Sequence, residues 1–255
     1  MRIKFLCCDV FTRIACDLVA KSPHIVDLEF LPMLTHDEPK KLNKMIQEKI
    51  NKSVNESGRK YDAVILGFGL CGNSTIGLSC PIPMVIPRAH DCCTIHMGCR
   101  ENFLAVFGDI LSARWSSTGF YEREHSVISS CCGTSNCCGK TEQFSSYKTS
   151  AEYMGYVKQY GEDNADYIWE TMHPEMETNE AVYIKIDGFE YSGSFEDYER
   201  EIDKAGKKLK IAYGNTSFLK SLVDGKWEDE RFLIVPPGKK ISGVYDMYYV
   251  MEAVD

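Results

Sequence analysis

The chain has 255 residues, of which 44% are apolar and 26% charged, enough to bury a sizeable core and too apolar for wholesale disorder. Its net charge of −8 argues against nucleic acid or an anionic membrane surface as the main partner, because both need a basic face. A local basic pocket for a small anionic molecule is still compatible with that balance.

Residues 2–8 read as a buried strand. Asp9 interrupts the apolar run too early for a secretory h-region, and no stretch reaches membrane-spanning length, so the expected location is cytoplasmic. Phe11, Ile14, Ala15, Leu18 and Val19 then form the stripe of an amphipathic helix. A strand over 25–31 ends at Pro32. Leu42, Met45, Ile46 and Ile50 mark a second helix, with Pro39 near its start and Gly58 beyond its end. Residues 63–68 and 84–86 are short apolar runs of the kind buried on both sheet faces. The alternation predicts right-handed βαβ units: an α/β, Rossmann-like parallel sheet with flanking helices.

From about 112 to 144 the pattern dissolves into Ser, Gly, Cys and Thr, a long loop or insertion. A helix is expected over 149–172 with a break near Gly161, then a strand at 181–186 and a helix at 195–207. A strand at 209–212, a helix at 217–223 and a strand at 232–235 follow. The expected organisation is an α/β lobe over 1–111 that carries the site, a Cys-rich insertion over 112–148 and a second α/β lobe over 149–255. One extended sheet is the alternative.

The chain contains 12 cysteines. In a reducing cytoplasm they are not expected to be structural disulfides. Cys16 and Cys80 read as small apolar fillers. Filling is a poor account of the adjacent pairs Cys7-Cys8, Cys92-Cys93, Cys131-Cys132 and Cys137-Cys138, and so many thiols suit an anaerobic host.

Three cysteines fall where an α/β fold places its reactive groups. Cys8 ends the first strand, Cys71 lies in the turn after the 63–68 strand, and Cys92 follows the 84–86 strand. Parallel strands present their carboxyl ends at one edge, where ligands bind. In Gly67-Phe-Gly69-Leu-Cys71-Gly72-Asn73 the glycines permit close backbone approach. A helix expected from about Ser74 would favour the Cys71 thiolate that a metal needs. Gly69, Gly72 and Asn73 are therefore candidates to support the site or touch a substrate. The bland reading is a turn that only lets a helix pack tightly. The segment lacks the third glycine of a dinucleotide fingerprint and the Gly-Lys-Ser/Thr of a P-loop.

Pro87-Arg88-Ala89-His90-Asp91-Cys92 adds a cation, an imidazole, a carboxylate and a thiol. His90 is a candidate ligand, with Asp91 fixing its tautomer. Arg88 is a candidate to neutralise a thiolate cluster or hold a carboxylate. Asp91 also reads as the N-cap of the next helix, and Cys93 and Cys99 as packing residues. Separately, Cys131, Cys132, Cys137 and Cys138 have the spacing of a metal knuckle; a thiol-rich loop without metal is the competing reading.

At Tyr-Asp-Ala-Val-Ile-Leu-Gly-Phe-Gly-Leu-Cys-Gly-Asn (61–73) and Pro-Arg-Ala-His-Asp-Cys (87–92) the chain resembles domain-of-unknown-function family 1638, found mainly in methanogens and other anaerobes. Cys8, His36 in Leu31–Pro39, the segment from Tyr160 and residues 222–238 extend the resemblance over nearly the whole chain. His36 joins the candidate substrate-binding set on that basis. The family has single cysteines where this chain has Cys92-Cys93, and against it the 131–138 loop looks like a local elaboration. Family genes lie near those of corrinoid-dependent methyltransferases, which implies a corrinoid protein or methyltransferase as partner. The expectation is an iron–sulfur cluster on Cys8, Cys71 and Cys92, with His90 available as a fourth ligand. The alternatives are a zinc-thiolate protein of methyl transfer and a non-enzymatic metal carrier.

Overall fold

The computed structural model describes residues 1–33, 38–56, 60–108, 115–124, 154, 157–158, 161, 180–190, 193–244 and 249–255. Strand β1 (Arg2–Cys8) is buried along all but its first residue and lies inside a five-stranded sheet. It pairs in parallel with β2 (Ile25–Leu31) on one side and β3 (Ala63–Gly67) on the other, and β3 pairs in parallel with β4 (Met84–Pro87). The register sets Cys8 beside Leu31 and Cys7 beside Gly67. Gly67 is required there: a Cβ at this position would lie 2.5 Å from the Cys7 Sγ. The near-continuous apolar runs of β1, β3 and β4 are those of strands covered on both faces.

Helix α1 (Thr12–Lys21) buries Ile14, Ala15 and Leu18, and α2 (Pro39–Asn51) buries Leu42, Ile46 and Ile50. The expected helix after Asp91 is two pieces, α3 (Cys92–Met97) and α4 (Arg100–Phe107). They part at Gly98, whose φ is 77° and which abuts the Asn215 side chain so closely that no Cβ fits. Long-range contact therefore overrides the helical pattern.

Two further elements lie inside the stretch expected to be a long loop or an insertion: β5 (Trp115–Ser117) and α5 (Thr118–Glu124). β5 pairs in parallel with β6 (Glu180–Lys185), and β6 with β7 (Lys208–Tyr213), forming a second sheet with α6 (Ser194–Lys204) packed on it. Val182, Ile184, Ile186 and Ala212 of this part share one apolar core with the first sheet. Helix α7 (Ser217–Val223) returns to pack on α1 and β4, and β8 (Phe232–Val235) closes the first sheet antiparallel to β4. A hairpin-like pair, β9 (Lys240–Gly243) and β10 (Met251–Val254), ends the chain. The fold is thus mixed α/β with a mainly parallel central sheet. The expected helix over 149–172 lies almost entirely outside the described residues. Among the described residues no helix is long and apolar enough to cross a membrane.

Candidate thiol site

The first sheet brings the three predicted cysteines together. Cys8, Cys71 and Cys92 line one cavity of about 230 Å³ together with Gly67, Gly72 and Asp91. The remaining wall is apolar: Pro32, Met33, Leu42, Phe68, Trp115 and Phe120. Cys8 is 8% exposed, while Cys71 and Cys92 are half-buried.

The Cys71 turn and the segment after β4 are joined by their backbones. Leu70 N donates to Ala89 O and Cys71 N to His90 O, each at 2.8 Å. Gly69 makes this approach possible, since a Cβ there would lie 2.7 Å from Ala89 O and 2.8 Å from Asp91 N. The next three residues, Cys71, Gly72 and Asn73, all have left-handed φ, at 46°, 62° and 71°. A non-glycine residue pays about 1–2 kcal/mol in that region. The turn is held by the Ser74 hydroxyl, which donates to Cys71 O at 2.6 Å, and by the Thr75 hydroxyl, which donates to Gly69 O at 3.2 Å.

The helix expected from Ser74 does not form; residues 71–77 are consecutive turns. No helix dipole therefore acts on Cys71. Burial, with the Asp91 carboxylate close by, pushes its thiol up to about 12. Burial likewise raises the Cys8 and Cys92 thiols, and all three oppose one another's ionisation. The expectation of a self-activated thiolate is overturned: burial holds these thiols toward the neutral form.

Asp91 is the N-cap of α3, accepting from Thr94 N at 3.0 Å and from the Thr94 hydroxyl at 3.1 Å. Burial raises its carboxyl, and its bonds to Thr94 offset part of that rise. His90 contributes its carbonyl to the Cys71 turn, and its side chain is not among the groups lining the cavity. Arg88 turns elsewhere: its Nη1 donates to Tyr249 O at 2.6 Å and to Met251 O, tying β10 to the end of β4. Replacing Arg88 by glutamine is expected to cost about 1–2 kcal/mol through loss of these charged hydrogen bonds. Urea unfolding checks this, with the thiol cavity unaffected; a disturbed cavity at unchanged stability would contradict the placement.

Cys80 and Cys93 are buried in the core as small apolar groups, and Cys99 caps α4, its Sγ accepting from Asn102 N at 3.4 Å. Cys16, expected to be buried, is exposed on α1. His36 and Cys131, Cys132, Cys137 and Cys138 lie outside the described residues. Among the described residues, no three His, Cys, Asp or Glu side chains stand close enough to hold a metal ion as they are.

Sequence reasoning missed the aromatic wall. Trp115 lies tilted against Phe120 with centroids 5.2 Å apart, and His96 packs against Trp115 at 5.5 Å and Phe11 at 4.6 Å. Trp115 sits on a three-residue strand within a stretch lacking periodicity, so no local signal marked it. Met33 is placed by Asp9, whose Oδ1 accepts from Met33 N at 2.7 Å.

A family model described as protein of unknown function (DUF1638) matches residues 30–223, more than half of the chain. The chain belongs to this family. The match takes in Cys71, Cys92, Trp115 and Phe120 and begins after Cys8. No curated protein and no solved structure matches the chain.

Proposed function

We propose that the protein holds a cysteine-ligated metal centre, an iron–sulfur cluster, in the cavity between Cys8, Cys71 and Cys92, and that it works in the cytoplasm in anaerobic one-carbon metabolism. The observation that carries this reading is the meeting of three thiols from three strand ends in one cavity. Three thiols that line one cavity offer a soft metal three ligands of one kind.

A cluster and a single ion make different demands on these thiols. Zn–S bonds of about 2.3 Å would require the sulfurs to lie roughly 4 Å apart. A cluster takes each thiolate on a different iron and spans a wider gap. Three cysteines leave one iron for a further ligand. The link to a corrinoid protein or methyltransferase rests on the gene neighbourhood of the family alone. Zinc bound after closure of the thiols, serving methyl transfer or metal delivery, is the competing reading.

Anaerobically purified protein is expected to be brown, to contain iron and acid-labile sulfide, and to lose visible absorbance in the Cys71→Ala variant. Colourless protein with one equivalent of zinc would replace the cluster with the competing reading. Protein with neither metal would sink both.

A further inference from the structure

We infer that the substrate of this cavity is a compact organic cation of the quaternary-ammonium or sulfonium type, bound against Trp115 and Phe120. The inference rests on the reading of the cavity as the functional site, and not on which metal it holds.

The charge of the wall comes first. Among the described residues lining the cavity there is no Lys, Arg or His; the ionisable groups are Cys8, Cys71, Cys92 and Asp91, each anionic when ionised. Arg88, the cation of the segment that carries Asp91 and Cys92, is engaged with the carbonyls of Tyr249 and Met251. Among the described lining residues a carboxylate or phosphate would find no counter-charge, and a cation would meet none of its own sign.

The shape of the wall comes second. The thiols belong to the carboxyl edge of the first sheet, whereas Trp115 and Phe120 come from the β5–α5 corner of the second. Their rings lie at 59° to one another and form an aromatic corner, with Phe68 and Met33 also lining the space. Alkylated ammonium and sulfonium groups bind such corners through the negative ring face, and tryptophan is the strongest of the aromatic partners. A small inorganic cation would lose its water there without gaining oxygen ligands.

The wall is preformed. Trp115 is backed by the buried His96 ring, which rests on the buried Phe11, so a run of ring contacts from Phe11 through His96 and Trp115 to Phe120 fixes the corner before any ligand arrives. Gly119 allows this corner to close on the core: a Cβ there would lie 1.9 Å from Val10 O. An apolar cavity of roughly 150 Å³ holds benzene. The space of about 230 Å³ is therefore ample for a trimethylated head group.

The test compares choline with its uncharged carbon isostere, 3,3-dimethylbutan-1-ol, by calorimetric titration of the full chain, once as purified under anaerobic conditions and once after chelation, with metal content measured in both. Choline is expected to bind several-fold more tightly than the isostere. Trp115→Leu is expected to weaken choline by roughly 10-fold, within the 2- to 30-fold span of single cation–π contacts, with little change for the isostere. Phe120→Leu, a milder change, should act in the same direction and decides the matter if the Trp115 variant does not fold. Equal binding of the two ligands, no binding of choline, or indifference of choline to both folded variants overturns the inference. Preference for choline in protein that is metal-free as purified leaves the inference standing and removes the metal reading; a protein metal-loaded as purified and blind to ligand charge does the reverse.

Discussion

Gly69→Ala is expected to destabilise the protein by about 3 kcal/mol and to empty the thiol site, because the new methyl group meets backbone and not a side chain that can swing away. Its Cβ would lie 2.7 Å from Ala89 O, 2.8 Å from Asp91 N and 3.0 Å from Asp91 Cα. Relief requires the Cys71 turn and the segment after β4 to separate, which stretches the Leu70 N–Ala89 O and Cys71 N–His90 O hydrogen bonds. Those bonds set the distance between Cys71 and Cys92, so stability and metal content should fall together. At about 2–4 °C per kcal/mol for a chain of this size, the thermal midpoint should drop by roughly 6–12 °C. Gly77→Ala is the control. Its φ of 79° strains any L residue, but nothing lies within 4 Å of the added atom, so about 1–2 kcal/mol and an intact site are expected. If the two variants unfold alike and both retain metal, the joining of the two segments does not position the thiols.

Acid should weaken the fold through His96, beginning above the range where carboxylates titrate. The ring is 2% exposed, packed between Phe11 and Trp115, and burial pushes its pKa from 6.5 down to about 3. Its Nε2 lies 3.4 Å from the Ser117 hydroxyl, and its Nδ1 has no hydrogen-bond partner among the described residues. Because the folded pKa is the lower one, the unfolded chain binds the extra proton between pH 6.5 and 3. Stability is therefore complete above 6.5 and is lost as the pH falls through that window. Over the 1.5 units from 6.5 to 5 the loss is about 2 kcal/mol, at roughly 1.4 kcal/mol per unit. Urea midpoints measured at pH 7.5, 6 and 5 read this directly. His96→Leu keeps the shape, removes the proton site and should flatten the profile over the same range; a profile unchanged by the substitution would assign the acid sensitivity to another group. Since His96 backs Trp115, mild acid is also expected to loosen the aromatic corner of the cavity.

Much of the fold was legible. The apolar runs at 2–8, 63–68 and 84–86 read as interior strands from their length and bounding turn residues, and the stripes through Ile14 and Leu18 and through Leu42 and Ile46 read as amphipathic helices from their period. Parallel pairing followed from the alternation of the two. The Asp91 cap was legible because capping is local, a side chain bonding a backbone N–H three residues on. The break at Gly98 was not, since it answers to Asn215, more than a hundred residues away.

The cysteine site divides along the same line. Its chemistry was written locally: cysteines at the ends of three predicted strands, and glycines spaced to let two segments touch. Sequence alone determined that Cys8, Cys71 and Cys92 would face a common edge, because every parallel strand delivers its carboxyl end there. Tertiary structure decided the rest. It turned Arg88 toward the carbonyls of Tyr249 and Met251, withheld the helix expected after Cys71, and raised all three thiols instead of activating them. It also set Trp115 and Phe120 in the wall. A side chain's direction and a thiol's proton depend on what the distant chain packs around them, and neither spacing nor composition carries that information.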